Sequence, residues 1–277
     1  MKKIAVFFNA PEENGYPFTE PEYRQSYNDL AACIAKRGGA LSIVRSQTTY
    51  RGDNAFDGSW VFHAHTFERR NGVASFDVIL NKGNLRADAN ANVINVQALE
   101  DLCTHKDRTC ALFGDISPRS AVVRRAEDLA EALGKVGASM AVVKPLDKEG
   151  GEGVFIGPRE DIPAHIPGYP CIIQAFVDTR GGIPGIVEGM HDFRIVSVEG
   201  NVVLSFVRTP PEGSYLANVA RGGKTIEVPV KAIPENALAI FRRIDAALRG
   251  FHNRVYAIDL GRDRNGAWRL FELNAKP

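Results

Sequence analysis

This chain of 277 residues is 44% hydrophobic and 24% charged, the composition of a globular protein with one large or two ordinary domains. Its formal net charge of +1 gives no support for a nucleic-acid or membrane partner. No stretch approaches the roughly 18 apolar residues of a membrane span, and the first apolar run is too short for a signal peptide. The four cysteines show no CxxC spacing, which favours reduced thiols and a cytoplasmic location.

Residues 1–97 combine short apolar runs with one helical pattern. We predict a helix at Pro21–Lys36 and strands at Ile4–Phe8, Leu41–Val44, Ser59–Phe62, Phe76–Leu80 and Val93–Val96. This alternation predicts an N-terminal α/β domain with a parallel sheet. Loops at the carboxyl ends of parallel strands usually hold a ligand. Here those loops would be Asn9–Arg24, His63–Arg70 and Asn81–Arg86.

Residues 98–277 form a second predicted domain. The predicted helices are Ala98–His105, Ala126–Leu133 (ended by Gly134) and Pro234–Leu248, and the predicted strands are Met140–Val143, Cys171–Val177, Ile195–Val198 and Val202–Val207.

A glycine-rich loop follows the first strand of this domain. Gly150, Gly151 and Gly153 come shortly after Lys144, which stands at the strand end. Glycines let backbone N–H groups approach phosphates closely. The loop is not a Walker A motif, because it lacks Gly-Lys-Ser/Thr and leads into a strand, so a plain hairpin turn is the alternative.

The C-terminal stretch Val255–Lys276 consists of two alternating apolar runs around Asn265-Gly266. This dipeptide favours a two-residue type I′ hairpin turn. With that turn, Asp259 faces Glu272, and Asn274 lies two residues further along the same strand and on the same face. Two carboxylates and an amide oxygen on one face suit Mg²⁺ completed by phosphates and water. The alternative is an amphipathic hairpin with a solvated polar face.

Eight short motifs follow one another from Lys106 to Asn274. They are H-K-D-R-T, V-V-K-P, G-G-E-G-V, I-I-Q-A-F-V, H-D-F-R-I-V, Arg208 followed by N-V-A-R-G-G, Y-A-I-D-L and F-E-L-N-A-K-P. In this order they resemble the ATP-grasp superfamily, specifically its glutathione-synthetase and ribosomal-protein glutamate-ligase branch. Each motif alone is unspecific, but the ordered set is internally consistent. Residues 1–97 resemble the family's N-terminal domain only in pattern.

The resemblance implies a fold and a set of site residues. The fold is α/β, an N-terminal domain at 1–97 followed by a two-subdomain ATP-grasp domain at 98–277 with its lid at about 118–177. The residues implied to bind ATP are Lys106, Lys144, Gly150, Gly151, Gly153, Gln174, Ala175, Phe176, Val177 and Asp192. Those implied to face the phosphates and the acyl phosphate are Arg194, Arg208, Asn218 and Arg221. Those implied to hold one or two Mg²⁺ ions, with Mn²⁺ as a substitute, are Asp259, Glu272 and Asn274.

The activity implied by the resemblance is an ATP-dependent ligase reaction that forms a C–N bond. A substrate carboxylate attacks the γ-phosphate to give an acyl phosphate and ADP, and an amine then displaces phosphate. Such phosphoryl transfer needs positioning and charge neutralisation more than an acid or base. The substrates are expected to be amino acids or peptide-like molecules, and self-association stays open. A small-molecule kinase on the same fold and a non-catalytic ATP-binding protein are the alternatives.

Two features depart from the family pattern. The sequence ends at Pro277, where the family usually continues into a glycine and a further helix, so the chain is either shortened or minimal. The segment Thr179–Gly189 is longer than the family pattern. This length leaves the ribose-binding residue open among Asp178, Glu188 and Asp192.

Overall fold

The structure, a computed structural model, describes residues 1–10, 15–16, 18–148, 150–217 and 222–277. The chain divides into two compact units, Met1–Gln97 and Ala98–Pro277. Among the described residues, no helix is long and apolar enough to cross a membrane.

The first unit is built on one mixed sheet. Its described elements are α1 (Pro21–Ala35), β1 (Lys3–Phe8), β2 (Ala40–Arg45), β3 (Tyr50–Gly52), β4 (Ala55–His63), β5 (Thr66–Ser75), β6 (Val78–Asn81) and β7 (Val93–Ile94). Strand β1 lies parallel between β2 and β6, and β7 lies parallel to β6. Strand β4 runs antiparallel to β2, and both β3 and β5 run antiparallel to β4. The predicted parallel core is therefore present, with an antiparallel extension at one edge.

The central strand β1 is apolar without alternation because both of its faces are covered. Val6 packs with Ala31 of α1 on one face, whereas Ala5 and Phe7 pack with Phe56 on the other. Two-sided burial of this kind is typical of parallel strands.

The prediction of a loop at His63–Arg70 is wrong. These residues form a β-hairpin, in which β4 and β5 are joined by a turn at Ala64 and His65. Both turn residues have positive φ, 45° and 71°. No apolar alternation in the sequence indicates this hairpin, because β5 is mostly exposed on both faces.

The second unit contains two antiparallel sheets. Its helices are α2 (Gln97–Thr104, which starts at the unit boundary), α3 (Lys106–Leu112), α4 (Leu129–Val136) and α5 (Glu235–Leu248). Its strands are β8 (Ser120–Val123), β9 (Met140–Pro145), β10 (Phe155–Pro158), β11 (Cys171–Ala175), β12 (Asp192–Val198), β13 (Asn201–Thr209), β14 (Lys224–Glu227), β15 (Val255–Arg262) and β16 (Trp268–Asn274). The four-stranded sheet has the order β10-β9-β11-β8, and the five-stranded sheet has the order β14-β13-β12-β15-β16.

Helix α4 covers the four-stranded sheet and ends later than predicted. Leu133 and Val136 pack with Val143 and Ile173 of the sheet. Gly137, with φ 56°, caps the helix by donating its N–H to the carbonyl of Leu133. The predicted end at Gly134 is therefore wrong, because a left-handed glycine cap, not the first glycine, ends this helix.

Helix α5 covers only one face of the five-stranded sheet. Tyr256 of β15 stacks on Phe241 of α5 and donates a hydrogen bond of 2.9 Å to Asp245 of the same helix. Along β12, odd-numbered residues such as Ile195 are buried, whereas even-numbered residues such as Arg194 are half-buried. Charged residues can therefore occupy the face opposite α5.

The turn of the C-terminal hairpin is not the predicted two-residue turn. The N–H of Gly266 donates to the carbonyl of Asp263 at 2.9 Å, so Arg264 and Asn265 are the central pair of a four-residue turn. Gly266 has φ 84°, whereas Asn265 keeps a negative φ. Oδ1 of Asp263 accepts the N–H groups of Asn265 and Ala267, both at 2.9 Å. A type I turn followed by a left-handed glycine is the usual three-residue hairpin connection.

The pairing of the hairpin nevertheless returns to the predicted one at its polar residues. Near the turn, Arg262 lies opposite Trp268. Phe271 is an extra residue in β16, and beyond this bulge Asp259 lies opposite Glu272. The prediction made two errors of one residue each: it placed the turn one residue away, and it assumed a ladder without a bulge. These errors cancel, so the predicted pairing of Asp259 with Glu272 is confirmed.

Candidate active site

A cleft in the second unit is lined by residues of both sheets. It encloses about 950 Å³, part of it open solvent, which is the size of a small-molecule site. The predicted site residues that line it are Lys106, Lys144, Gly150, Gly151, Gln174, Ala175, Phe176, Val177, Asp192 and Glu272. Those described but not in its lining are Gly153, Arg194, Arg208, Asp259 and Asn274. Asn218 and Arg221 lie outside the described residues.

One end of the cleft is apolar. Val142 and Ile156 line it from the four-stranded sheet, and Phe271 lines it from the five-stranded sheet. Tyr215, on the segment after β13, meets the ring of Phe176 edge to face at 5.2 Å. These apolar side chains come from both sheets, and we call the part of the cleft that they line the apolar slot, which can take a planar base.

Phe271 reaches this slot because of the bulge and because a glycine lies beside its ring. A Cβ on Gly261 would stand 2.1 Å from Cζ of Phe271. Any side chain at position 261 would therefore displace the ring.

The side-chain amide of Gln174 makes its hydrogen bonds within the protein. Its Nε2 donates to the hydroxyl of Ser120 at 2.9 Å and approaches the thiol of Cys110 at 3.4 Å. The following strand end is fixed by the N–H of Phe176, which donates to the carbonyl of Met140. The predicted contribution of Gln174 to a base-binding hinge would therefore come from the backbone next to it.

The other end of the cleft carries lysines. Nζ of Lys106 donates to the carbonyls of Lys148 at 2.5 Å and Leu146 at 3.4 Å, and lies 3.6 Å from a carboxylate oxygen of Glu272. Burial lowers the pKa of Lys144; the charge of Glu272 opposes this effect and that of Lys106 adds to it. An anion bound here would relieve the cost of the buried positive charge.

The three glycines of the loop after β9 all have positive φ: 66° at Gly150, 79° at Gly151 and 67° at Gly153. Gly150 and Gly151 line the cleft, and a Cβ on Gly150 would meet nothing within 4 Å. A Cβ on Gly153 would stand 2.9 Å from Cγ of Pro145. Backbone conformation therefore explains all three glycines, and at position 153 packing against Pro145 adds to it.

A row of charges lies on the face of the five-stranded sheet opposite α5. Arg194 donates two hydrogen bonds of 2.7 Å to the two carboxylate oxygens of Asp259. Asp259 Oδ2 also accepts from Nη2 of Arg208 at 2.9 Å and from the amide of Asn274 at 3.1 Å. The same Nη2 of Arg208 donates to Asp192.

The pKa values of the two acids in this row are shifted in opposite directions. Burial and the neighbouring charge of Asp259 raise the pKa of Asp192 to about 7. Burial also acts to raise the pKa of Asp259, but the guanidinium groups of Arg194 and Arg208 outweigh it and hold that pKa below its usual value. Asp259 is thus the acid that stays ionised and able to bind a cation.

The predicted metal ligands form a donor set that fits Mg²⁺, because all three are hard oxygen ligands on one face. Within the described residues, no three His, Cys, Asp or Glu side chains come together as a metal cluster. An ion would therefore need the amide of Asn274 and oxygens from outside the protein. Both oxygens of Asp259 are bonded to arginines, so an ion at Asp259 would compete with Arg194 and Arg208.

Of the three acids left open as the ribose contact, only Asp192 is among the described residues that line the cleft. Asp178 is paired with Arg180 and Arg264, each at 2.7 Å. Glu188 is exposed and outside the lining.

The sequence predictions missed several residues of the cleft: Lys148, Met190, His191, Tyr215 and Phe271. Two of them, His191 and Phe271, stand inside motifs that were recognised, directly before an assigned acid. Nothing local in the sequence marked the others, because their place in the cleft depends on how separate segments pack.

Comparison with known proteins identifies the second unit. Residues 108–252 match the family model of the prokaryotic glutathione synthetase ATP-grasp domain. A glutathione synthetase from Gloeobacter violaceus is 30% identical over 117 residues, which cover 42% of this chain and 35% of that protein. A probable alpha-L-glutamate ligase from Legionella pneumophila is 26% identical over 164 residues, 58% of this chain and 50% of that protein. The matches thus span half or less of the length of these relatives.

Solved structures show the same fold across the whole chain. The D-cycloserine synthetase DcsG has a TM-score of 0.64 at 14% identity, covering 99% of this chain and 91% of that one. The VanG D-Ala:D-Ser ligase from Enterococcus faecalis has a TM-score of 0.65 at 12% identity, with coverages of 100% and 90%. The ATP-grasp ligase PsnB, solved with a minimal precursor, Mg and ADP, has a TM-score of 0.58 at 13% identity, with coverages of 99% and 89%. With the family model matching more than half of its residues, the chain belongs to the prokaryotic glutathione synthetase family of ATP-grasp proteins.

Proposed function

We propose that this chain is an ATP- and Mg²⁺-dependent ligase that joins a carboxylate to an amine through an acyl phosphate. The observation that carries the proposal is one cleft that is lined both by the apolar slot and by Lys106, Lys144 and Glu272. Family membership supports it, as do relatives named glutathione synthetase and alpha-L-glutamate ligase. These names favour an amino acid or peptide-like substrate. The free cysteines of the chain are compatible with a cytoplasmic location.

Each part of the cleft has a role in this proposal. The apolar slot takes the adenine, and Lys144 with Lys106 takes the phosphates, where charged hydrogen bonds are strongest. Asp259, Glu272 and Asn274 would hold Mg²⁺. When bound, Mg²⁺ supplies charge neutralisation for the transferring phosphoryl group.

The reaction has two steps. In the first, an oxygen of the substrate carboxylate attacks the γ-phosphorus, the bond to the β,γ-bridging oxygen breaks, and ADP leaves. In the second, the amine attacks the acyl carbon, the bond to the phosphate oxygen breaks, and the amine loses a proton. Arg194 and Arg208 orient and neutralise the phosphoryl oxygens in both steps, and we assign Asn218 and Arg221 to the same task.

The experiment is a turnover screen with Mg·ATP and pools of amino acids and short peptides, with phosphate release and product mass as readouts. A ligase gives ADP, free phosphate and a product equal to two substrates minus water. A kinase would give ADP and a stable phosphorylated product, and a pure binding protein would give no turnover. Either of the last two results refutes the ligase.

A further inference from the structure

We propose that the substrate carboxylate is held over an apolar patch of the five-stranded sheet, and that the side chain next to this carboxylate is aliphatic. The patch consists of Val196, Val198 and Leu204, and we call it the distal patch. This assignment rests on the ligase activity proposed above and names the class of its carboxylate substrate. That class is an amino acid or peptide with an aliphatic side chain at its carboxyl end.

Strand register places the distal patch on the same face of the sheet as the row of charges. Val196 stands two residues after Arg194 on β12 and lies opposite Leu204 on β13, and Val198 follows two residues later. Residues two apart on a strand share a face and are about 7 Å apart, and cross-strand partners share a face as well. The distal patch therefore continues the face opposite α5 beyond the charges.

The distal patch also lies beyond the proposed phosphate site. Strands β12 and β16 run in the same direction, because both are antiparallel to β15. Along them the cleft lining ends at Asp192 on β12 and, directly after Phe271 of the apolar slot, at Glu272 on β16. Val196 comes later than Asp192 on β12. A nucleotide with its base in the slot and its phosphates at the charges therefore points its γ-phosphate toward the patch.

The direction of phosphoryl transfer then locates the carboxylate substrate. The attacking and leaving oxygens are roughly in line, so the substrate approaches the γ-phosphorus from the side away from ADP. That side is above the distal patch. The proposed metal ligand Asn274 stays close to it, because Asn274 pairs with Ala257, which pairs with Val196.

The exposure of the distal patch is unusual for a sheet face. Residues of an antiparallel sheet that face water are normally polar. Leu204 and Val198 are nevertheless 40% exposed each, and Val196 is half-buried. The face changes from charged at Arg194 to aliphatic at Val196, and Asn201, opposite Val198, ends the patch. An apolar group that covers the patch during the reaction accounts for this change.

The chemistry of the distal patch selects among carboxylate substrates. An aliphatic side chain gains free energy by covering three aliphatic side chains. An acidic or amide side chain would lose hydration there without a new partner. The adjacent guanidinium of Arg194 does not supply one, because it is bonded to both oxygens of Asp259.

The test uses two donors of nearly equal shape, N-acetyl-alanyl-leucine and N-acetyl-alanyl-asparagine, in which the only ionisable group is the terminal carboxylate. Hydroxylamine replaces the amine: its nitrogen attacks the acyl carbon, phosphate leaves, a proton is lost, and the hydroxamate is measured. The variants are Leu204→Asn and Val198→Thr, which keeps the side-chain shape. The matched control is Ile226→Asn, because Ile226 is 43% exposed and pairs with Val207 on the other face of the same sheet.

For wild type we expect kcat/KM to be at least about tenfold higher for the leucyl donor, the scale of burying part of an aliphatic side chain. Leu204→Asn should bring this ratio to within about threefold of one, and Val198→Thr should lower it in the same direction. The change should appear in KM of the leucyl donor with kcat nearly unchanged, because the lost contact is the same in the ground state and the transition state. Ile226→Asn should keep the wild-type ratio.

Equal use of the two donors by wild type, or a ratio that neither Leu204→Asn nor Val198→Thr lowers, would overturn the assignment and leave the ligase in place. The same holds if neither donor gives hydroxamate while other carboxylates do. A lower mass of Leu204→Asn than of wild type in sedimentation would assign the patch to self-association instead. A wild-type chain that binds no ATP, or that gives no hydroxamate with any carboxylate, refutes the proposed function itself.

Discussion

Glu272 and Leu273 are neighbours on β16 that belong to opposite faces of the five-stranded sheet, so they can separate chemistry from folding. Glu272 lines the cleft, and its side chain is 28% exposed. Leu273 is 1% exposed. Glu272→Gln keeps the size of the side chain and removes its charge.

The structure predicts a small effect of Glu272→Gln on stability. The ion pair it removes is the 3.6 Å contact with Lys106, and Lys106 keeps its bonds to the carbonyls of Leu146 and Lys148. A partly exposed pair of this kind contributes about 0–1 kcal/mol to the free energy of unfolding. Turnover should fall much further, by roughly 10²-fold or more, because the phosphoryl group loses part of its charge neutralisation.

Leu273→Ala is the matched control with the opposite expectation. Truncation of the buried leucine side chain should lower the free energy of unfolding by about 2–5 kcal/mol. Turnover per folded molecule should stay near that of wild type. Urea unfolding measures the first quantity, and phosphate release at saturating substrate and low millimolar Mg²⁺ measures the second.

Wild-type turnover of Glu272→Gln under these conditions would refute the assignment of this face to the metal. A large loss of stability in the same variant would show instead that the carboxylate has a structural role.

The remaining predictions concern the nucleotide, the glycine loop and pH. Lys144→Ala should weaken Mg·ATP binding by about 1–3 kcal/mol, the scale of a lost charged hydrogen bond, and unchanged affinity in calorimetry would contradict it. Hydrogen exchange of Gly150–Gly153 should slow when ATP is added, because the loop gains partners only on binding, and equal protection would count against this. Because the pKa of folded Asp192 is raised to about 7, above its usual value of 3.8, its contribution to stability is complete below about pH 4 and is lost as the pH rises through about 7. Asp192→Asn should lack this decline, so urea unfolding at pH 5 and pH 8 should show wild type losing stability relative to the variant as the pH rises.

The elements that were predicted correctly have apolar patterns that burial requires. Strands β1 and β11 carry apolar runs because both of their faces are covered. Helix α5 follows the 3.6-residue period of its one buried face. Motif residues such as Lys144 could also be recognised, because their order along the chain does not depend on packing.

Non-local geometry could not be predicted in the same way. The hairpin of β12 and β13 turns at Glu199 and Gly200, and a regular ladder counted from that turn would place Asp192 opposite Val207. An extra residue, Val203, shifts the pairing and brings Arg208 into place. Bulges of this kind carry no reliable local signal, so the contact between Asp192 and Arg208 appears only in the folded chain.

The extra residue in β16 has a consequence for how the cleft wall can vary. Leu260 pairs with Leu270 before the bulge and Asp259 pairs with Glu272 after it, so the ladder is complete without Phe271. If Phe271 were removed, Leu260 would still pair with Leu270 and Asp259 with Glu272. A deletion elsewhere in β16 would shift the register of β16 relative to β15.

Phe271 therefore adds an aromatic ring to the wall of the slot, and the strand pairing that positions Asp259 and Glu272 stays the same. Gly261 beneath it sets how closely the ring can lie. Changes at these two positions would widen or narrow the space for a base, while Asp259 and Glu272 keep their places. In the proposed ligase, selectivity for the nucleotide base and the geometry of phosphoryl transfer can thus vary independently within one hairpin.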